Sequence, residues 1–201
     1  ANFASIDPSL DRKGASNFSK LDKEVWAEFF DNWDDMAYQS EALMAKFNKK
    51  GMKDLESFTE DDVFEEGKSR ESVVKVRINQ GFFRKMILSA YDNTCCITGI
   101  SISELLIASH IVPWSIDTNN RLNPRNGLCL NALHDRAFDK GLISISEDLR
   151  IVVSPLVYKQ ESKRHNLEFI TNYVNKEIRL PSRFLPYQNL LEYHRQNIFR
   201  G

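Results

Sequence analysis

Residues 105–143 decide the fold, and they read LLIASHIVPWSIDTNNRLNPRNGLCLNALHDRAFDKGLI. The opening Leu-Leu-Ile-Ala is typical of a strand, and residues 127–130 predict a second short strand. The loop between them, residues 113–126, is rich in asparagine and also contains proline and aspartate. Asn131 is a good N-terminal cap for a helix that continues until Gly141 supplies its C-terminal cap. The stretch therefore predicts a strand, loop, strand, helix unit.

The polar residues of this unit suit the hydrolysis of a phosphodiester bond. His110 ends the first strand, and an imidazole can take a proton from water near neutral pH. Asp135 and Asp139 are four positions apart and share one face of the helix, where their hard oxygens suit Mg²⁺ or Mn²⁺. His134 is one position away and can replace Asp135 as a ligand if the helix is rotated. Asn126 can fix the connecting loop or orient the imidazole by a hydrogen bond.

These residues also have ordinary interpretations that involve no catalysis. A single histidine at a strand end is usually a satisfied polar residue, and a pair of aspartates on a helix is usually a solvated face. Asp135 and Asp139 flank Arg136 and Lys140, so simple ion pairs are available to them. The residue pattern alone therefore leaves a structural role open.

Helices are predicted on both sides of this unit. Residues 1–18 are polar and predict an arm, and Ser19 can cap a helix, or two successive helices, that extend to about Gly51. Residues 51–70 are acidic and aperiodic and predict a linker. A helix over residues 72–91 follows, and Gly81 predicts a bend or break within it.

The chain after the unit is predicted to form a hairpin and a last helix. Two runs of alternating residues surround the Glu-Asp pair at 147–148 and predict the hairpin. The last helix is predicted over residues 187–199.

Composition indicates a globular protein outside the membrane. The chain has 201 residues, of which 42% are hydrophobic and 27% are charged. No apolar run approaches the ~20 residues of a membrane-spanning helix, and the first residues do not resemble a signal peptide. The three cysteines are a poor disulfide framework and favour a reducing, cytoplasmic location.

Charge is unevenly distributed along the chain. The net charge is −1, but residues 1–70 hold 16 acids and 10 bases, whereas residues 71–201 hold 12 acids and 17 bases. A basic C-terminal part is able to face a phosphate backbone.

Four separated blocks closely resemble the HNH endonuclease family, and more narrowly its bacterial restriction and defence nucleases. They are VKVRINQGFFR (74–84), CCITG (95–99), LLIASHIVPW (105–114) and NPRNGLCLNALHDRAFDKGLI (123–143). The resemblance covers about residues 73–155. It implies an α+β fold with a ββα-metal nuclease core at 92–155, after a helical N-terminal region at 1–91 and before a C-terminal helical extension at 156–201.

The resemblance also implies a reaction and a site. It implies hydrolysis of DNA with His110 as general base, Asn126 as the middle residue of the motif, and metal ligands on the helix. The expected cofactor is one divalent ion, Mg²⁺ or Mn²⁺, with Zn²⁺ or Ni²⁺ as substitutes in vitro. Family spacing from Asn126 falls on Asp135 and Asp139, whereas the namesake histidine is His134, so the register stays open.

One position departs from the family pattern. Many members have Asp or His immediately before the base as a metal ligand, and here that position is Ser109, whose hydroxyl is a weaker ligand. The paired-cysteine zinc knuckles of many members are also absent from the sequence.

DNA is the expected partner, with a homodimer plausible for cleavage of both strands, and neither a membrane nor a nucleotide cofactor is expected. Four arginines are candidate phosphate contacts: Arg77, Arg84, Arg121 and Arg125.

Three other functions are consistent with the sequence. The first is a catalytically weak or inactive nucleic-acid-binding module on the HNH fold, for which Ser109 is the best argument. The second is a defence effector nuclease with little sequence preference. The third is a helical interaction domain formed by residues 19–91.

Overall fold

The strand, loop, strand, helix unit is present in the computed structural model, which describes residues 19–30, 32–47, 70–161 and 167–201. Strand β1 (Leu106–His110) pairs antiparallel with β2 (Gly127–Asn131), and the register places His110 opposite Gly127. Helix α4 (Ala132–Asp139) follows β2 directly and packs on both strands. The last residue of β1 therefore lies beside the first turns of α4.

Both ends of α4 are fixed by the residues expected to cap it. Asn131 Oδ1 accepts hydrogen bonds from the backbone N–H groups of Leu133 and His134. At the other end, Gly141 adopts a φ of +67°. A Cβ atom there would lie 2.0 Å from the Ile198 carbonyl oxygen, so this position requires glycine for space as well as for conformation.

Helix α3 (Arg70–Ala90) runs continuously through Gly81, so the helix does not break at that residue, and a bend there stays a prediction. No atom lies within 4 Å of the place where a Cβ on Gly81 would be, and this glycine costs the helix only its intrinsic propensity. Burial of the apolar side of α3 against the β1–β2 sheet outweighs that cost.

The N-terminal part forms two helices, α1 (Lys20–Phe29) and α2 (Trp33–Phe47). Ser19 and Asp22 form a capping box at the start of α1. Helix α2 packs on α3, where Asn79 Nδ2 donates to Asp34 Oδ1 at 2.8 Å. The predicted arm at 1–18 and the predicted linker, apart from Arg70, lie outside the described residues.

The hairpin and the last helix are also present. Strands β3 (Ile143–Ile145) and β4 (Ile151–Val153) pair antiparallel, and helix α7 covers Gln188–Asn197. Two further helices, α5 (Pro155–Glu161) and α6 (Glu168–Thr171), were not expected. Helices of seven and four residues are too short to show a clear hydrophobic period.

One hydrophobic cluster joins the elements. It includes Phe83 and Ile87 of α3, Leu128 of β2, Phe138 of α4 and Leu191 of α7. The predicted division of the chain into three regions, with boundaries at 91/92 and 155/156, stays a prediction. The hydrophobic cluster contains residues from all three regions. Within the described ranges, no helix is long and apolar enough to cross a membrane.

Candidate active site

A cavity of about 500 Å³ opens between β1 and α4. Ser109 and His110 line it from β1, and Asp135 and Asp139 line it from α4. Lys140, the residue after α4, is also part of the lining. The structure thus brings the predicted base and two of the predicted metal ligands to the same cavity.

A hydrogen bond fixes the protonation pattern of His110. Its Nε2 donates to the Arg121 carbonyl oxygen at 2.8 Å. A carbonyl oxygen can only accept, so Nε2 carries the hydrogen and the neutral imidazole has its lone pair on Nδ1. Nδ1 has no hydrogen-bond partner among the described residues. It is therefore the nitrogen that can accept a proton.

Two aromatic rings enclose the same imidazole. The Phe83 ring stacks on it with a centroid distance of 3.9 Å and an interplanar angle of 9°. The Trp114 ring meets it edge to face at 5.5 Å. This burial lowers the pKa of His110 below its ordinary value of 6.5, while the Arg121 carbonyl and the Asp135 carboxylate act in the opposite direction. The imidazole is therefore neutral at pH 7.

Asn126 fixes the loop between β1 and β2. Its side chain is fully buried, its Oδ1 accepts from the Val112 N–H, and its Nδ2 donates to the carbonyls of Val112 and Asn120. These bonds go to the backbone of the loop and not to the imidazole. Of the two roles considered for Asn126, its contacts match the fixing of the loop.

The two carboxylates of α4 lie close enough to repel each other. Burial raises the pKa of Asp139, and the neighbouring charge of Asp135 raises it further. Burial also raises the pKa of Asp135, although Ser109, Arg136 and His110 oppose this. Such a pair of neighbouring like charges is stabilised by a bound cation.

Ser109 is only 2% exposed and lies beside Asp135. Its hydroxyl lies close enough to the Asp135 carboxylate to lower the pKa of that group, although the contact does not have the geometry of a full hydrogen bond. Ser109 therefore favours the charged form of Asp135.

His134 lies away from this cavity. It is 3% exposed, its Nδ1 lies 3.1 Å from Asn131 Oδ1, and its ring meets Tyr173 edge to face. Burial lowers its pKa. The expectation that His134 can act as a helix ligand needs correction, because α4 turns Asp135 and not His134 towards His110.

The donor set suits a hard cation that keeps much of its hydration. In the described ranges, no three side chains of the His, Cys, Asp and Glu types gather to hold a metal. Mg²⁺ is commonly bound by one or two carboxylates, with water and phosphate oxygens completing its shell. Asp135 and Asp139 therefore fit Mg²⁺ or Mn²⁺ better than a fully enclosed zinc site.

Two of the arginines predicted to bind phosphate, Arg84 and Arg121, hydrogen-bond to backbone carbonyls, and their phosphate contacts stay predictions. The Arg84 guanidinium donates to the carbonyls of Leu106 and Ser103 at the start of β1. Arg121 Nε donates to the Trp114 carbonyl at 2.8 Å.

Arg125 needs the clearest correction, since it is 1% exposed and cannot reach a phosphate backbone. Its guanidinium lies 5.2–5.9 Å from three aromatic rings, those of Phe30, Phe184 and Tyr187. The side chain of Arg77 is outside the described set, so its predicted phosphate contact stays a prediction.

The structure adds residues that the sequence did not single out. Lys140 places a cation on the cavity wall. His194 of α7 packs against the end of α4, where its Nε2 lies 3.1 Å from the Phe138 carbonyl oxygen and its Nδ1 lies 2.9 Å from Ser144 Oγ. Nothing in the sequence pointed to His194, because its partners are about 50 positions away in the chain.

Comparison with known proteins identifies a family whose model matches part of the chain. The family model described as HNH endonuclease matches residues 95–146. No curated protein matches the chain significantly.

A solved structure, described as a modification dependent TagI restriction endonuclease, is similar with 20% identity and a TM-score of 0.42. The similarity covers 58% of this chain and 37% of that one. A score at this level does not establish a common overall fold, so no functional statement follows from it.

Proposed function

We propose that this chain, which contains an HNH endonuclease domain at residues 95–146, is a metal-dependent nuclease that hydrolyses DNA phosphodiester bonds. The observation that carries the proposal is the state of His110. Its Nε2 donates a hydrogen bond to a backbone carbonyl, and its Nδ1 lacks a hydrogen-bond partner among the described residues. Its ring lines a cavity that two carboxylates also line.

His110 is proposed to act as the general base. At neutral pH its Nδ1 accepts a proton from a water molecule, and the resulting hydroxide attacks the phosphorus atom. The bond between phosphorus and the leaving oxygen breaks, and the leaving oxygen takes a proton from solvent. The charge that forms on the imidazole is stabilised by the Arg121 carbonyl and by Asp135, both of which favour the protonated form. The acquired proton can later pass to solvent.

Asp135 and Asp139 are proposed to hold the divalent ion, with Ser109 Oγ beside them. These residues would hold a divalent ion, which would supply charge neutralisation for the scissile phosphate and the leaving oxygen. A bound cation would offset the repulsion between the two carboxylates. Their raised pKa values are consistent with this role.

DNA is proposed to approach from the α4 side of the cavity. Lys140 lines the cavity, and Arg136 and Lys140 are both exposed. These side chains can contact phosphate oxygens. Arg125 cannot do so because it is buried. A restriction or defence role and cleavage by a homodimer belong to the same proposal and rest on the resemblance of the motifs.

The test is cleavage of supercoiled plasmid with Mg²⁺ or Mn²⁺, beside EDTA, for the wild type and for His110→Ala. We expect nicking that EDTA abolishes and that His110→Ala lowers by about 10²- to 10⁴-fold, the usual contribution of a general base. Thermal unfolding of the variant shows whether it is folded.

Equal nicking by the folded variant would remove His110 from its role. DNA binding by the wild type without any cleavage would instead favour the binding-only alternative, for which the unusual Ser109 is the specific observation. A gel-shift assay on the same plasmid fragments separates these outcomes.

A further inference from the structure

The His110 imidazole is held by groups from two different parts of the chain. The loop after β1 supplies the Arg121 carbonyl and the Trp114 edge. The stacked ring comes from Phe83, which is on α3 and precedes the segment that matches the family model. Phe83 is 2% exposed, so its ring is fixed by the surrounding core.

Gly127 makes the approach of Phe83 possible. It lies directly opposite His110 in the β1–β2 register. A Cβ atom on Gly127 would lie 2.8 Å from Phe83 Cζ and 2.2 Å from Ile87 Cδ1, so any other residue would force these side chains of α3 to shift. The absent side chain leaves the space through which the Phe83 ring reaches the imidazole.

The next residue of α3 is tied to the same strand. The Arg84 guanidinium donates to the Leu106 carbonyl at 2.6 Å and to the Ser103 carbonyl at 3.2 Å. Phe83 is therefore held on β1 through its own helix, by hydrogen bonds that do not involve His110.

We propose that Phe83 is a positioning residue of the nuclease site and that α3 completes the active site of the domain. The inference rests on the proposed function of His110. Rotation of a histidine ring about χ2 is soft, and a single hydrogen bond at Nε2 does not fix the plane of the ring. The parallel Phe83 ring, together with the perpendicular Trp114 ring, fixes that plane and with it the direction of the Nδ1 lone pair.

The test compares Phe83→Leu with Phe82→Leu, a matched control at the neighbouring buried phenylalanine, which has no ring contact with His110. Plasmid nicking is measured over a range of DNA concentrations, with wild type and His110→Ala in the same series. We expect Phe83→Leu to lower kcat by roughly 10- to 100-fold with KM unchanged, because misorientation of a reacting group costs this much. Phe82→Leu should keep the wild-type kcat.

A second measurement does not depend on cleavage. In protein labelled with ¹³C-histidine, the His110 ring protons should be shifted upfield by the Phe83 ring, and this shift should disappear in Phe83→Leu but not in Phe82→Leu. If Phe83→Leu does not fold, Phe83→Met fills the space and is measured in the same way.

The outcomes separate the two proposals. Wild-type kcat in Phe83→Leu, or equal losses in both leucine variants, overturns the positioning role while His110→Ala still reports on the base. Full activity in His110→Ala overturns the proposed function, and the positioning role with it.

Discussion

His110 combines burial between aromatic rings with the need to accept a proton. The rings of Phe83 and Trp114 remove water from the imidazole and disfavour its charged form. The Arg121 carbonyl and Asp135 favour that form, so burial is only partly offset. The result is a base that stays deprotonated at lower pH than an ordinary histidine.

This balance predicts the acid side of the pH dependence of cleavage. Because burial lowers the pKa of His110 and only the neutral imidazole acts as base, kcat/KM should fall to half its plateau below pH 6.5. The measurement is kcat/KM for plasmid nicking over a pH series at saturating metal. A midpoint at or above pH 6.5 would contradict the assignment.

The α4 carboxylates give a second prediction for single residues. Asp135→Asn and Asp139→Asn should each lower metal-dependent nicking by about 10²-fold or more, since each removes a charged ligand. Each should also weaken Mn²⁺ binding measured by calorimetry. Asp148→Asn, in the exposed turn of the β3–β4 hairpin, is the control and should leave both unchanged. If all three variants bind Mn²⁺ like the wild type, the cation is held elsewhere.

The effect of replacing a glycine depends on what lies opposite it, as Gly81 of α3 and Gly127 of β2 illustrate. Gly81 faces open space, whereas Gly127 faces α3 across the sheet. Gly81→Ala should raise the free energy of unfolding by about 0.5–1 kcal/mol, through helix propensity alone.

The opposite result is expected for Gly127→Ala. The added methyl group overlaps the Ile87 and Phe83 side chains and should lower the free energy of unfolding by about 1–3 kcal/mol. Urea unfolding of both alanine variants measures the difference. Equal effects at the two positions would mean that α3 does not pack on β2 as described.

The end of α4 depends on a buried histidine from another element. His194 is 1% exposed, and its ring stacks on Phe138 with a centroid distance of 3.7 Å. Burial lowers the pKa of His194 to about 4, although the Phe138 carbonyl acts in the opposite direction. The folded chain therefore takes up this proton less readily than the unfolded chain.

This difference predicts a loss of stability in acid. The contribution of His194 is fully present above pH 6.5 and is lost as the pH falls towards 4, because the unfolded state binds the proton first. Between pH 7 and pH 5 the loss should be about 2 kcal/mol. Urea unfolding of the wild type and of His194→Gln at both pH values measures it, and a slope unchanged in the variant would exclude His194 as its source.

Over the whole molecule, the sequence predicted the features that depend on local signals. Asn131 and Gly141 lie at the two ends of α4 as expected, because a cap acts within one turn of its own helix. His110, Asp135 and Asp139 were predicted as neighbours, and they line one cavity, because strand and helix periodicity set the side on which each lies. Their roles in catalysis stay predictions.

The expectations that differ from the structure concern contacts between segments that are distant in the sequence. Arg125 was expected at the surface because arginine usually is, but rings from the residue after α1 and from the segment before α7 bury it. The choice between His134 and Asp135 required the rotation of α4 about its axis, which the packing of the helix on the sheet decides. Neither effect has a signature within a short window of sequence.

Residues 198–200 pack against Gly141 at the C-terminal end of α4, with consequences for anyone who prepares the protein. The Arg200 N–H donates to the Gly141 carbonyl at 3.0 Å, and Ser154 Oγ donates to the Arg200 carbonyl. Deleting residues 198–201 would remove both bonds and loosen the helix that carries Asp135 and Asp139. If the shortened protein were inactive, its inactivity would be wrongly attributed to the loss of a residue that contacts DNA.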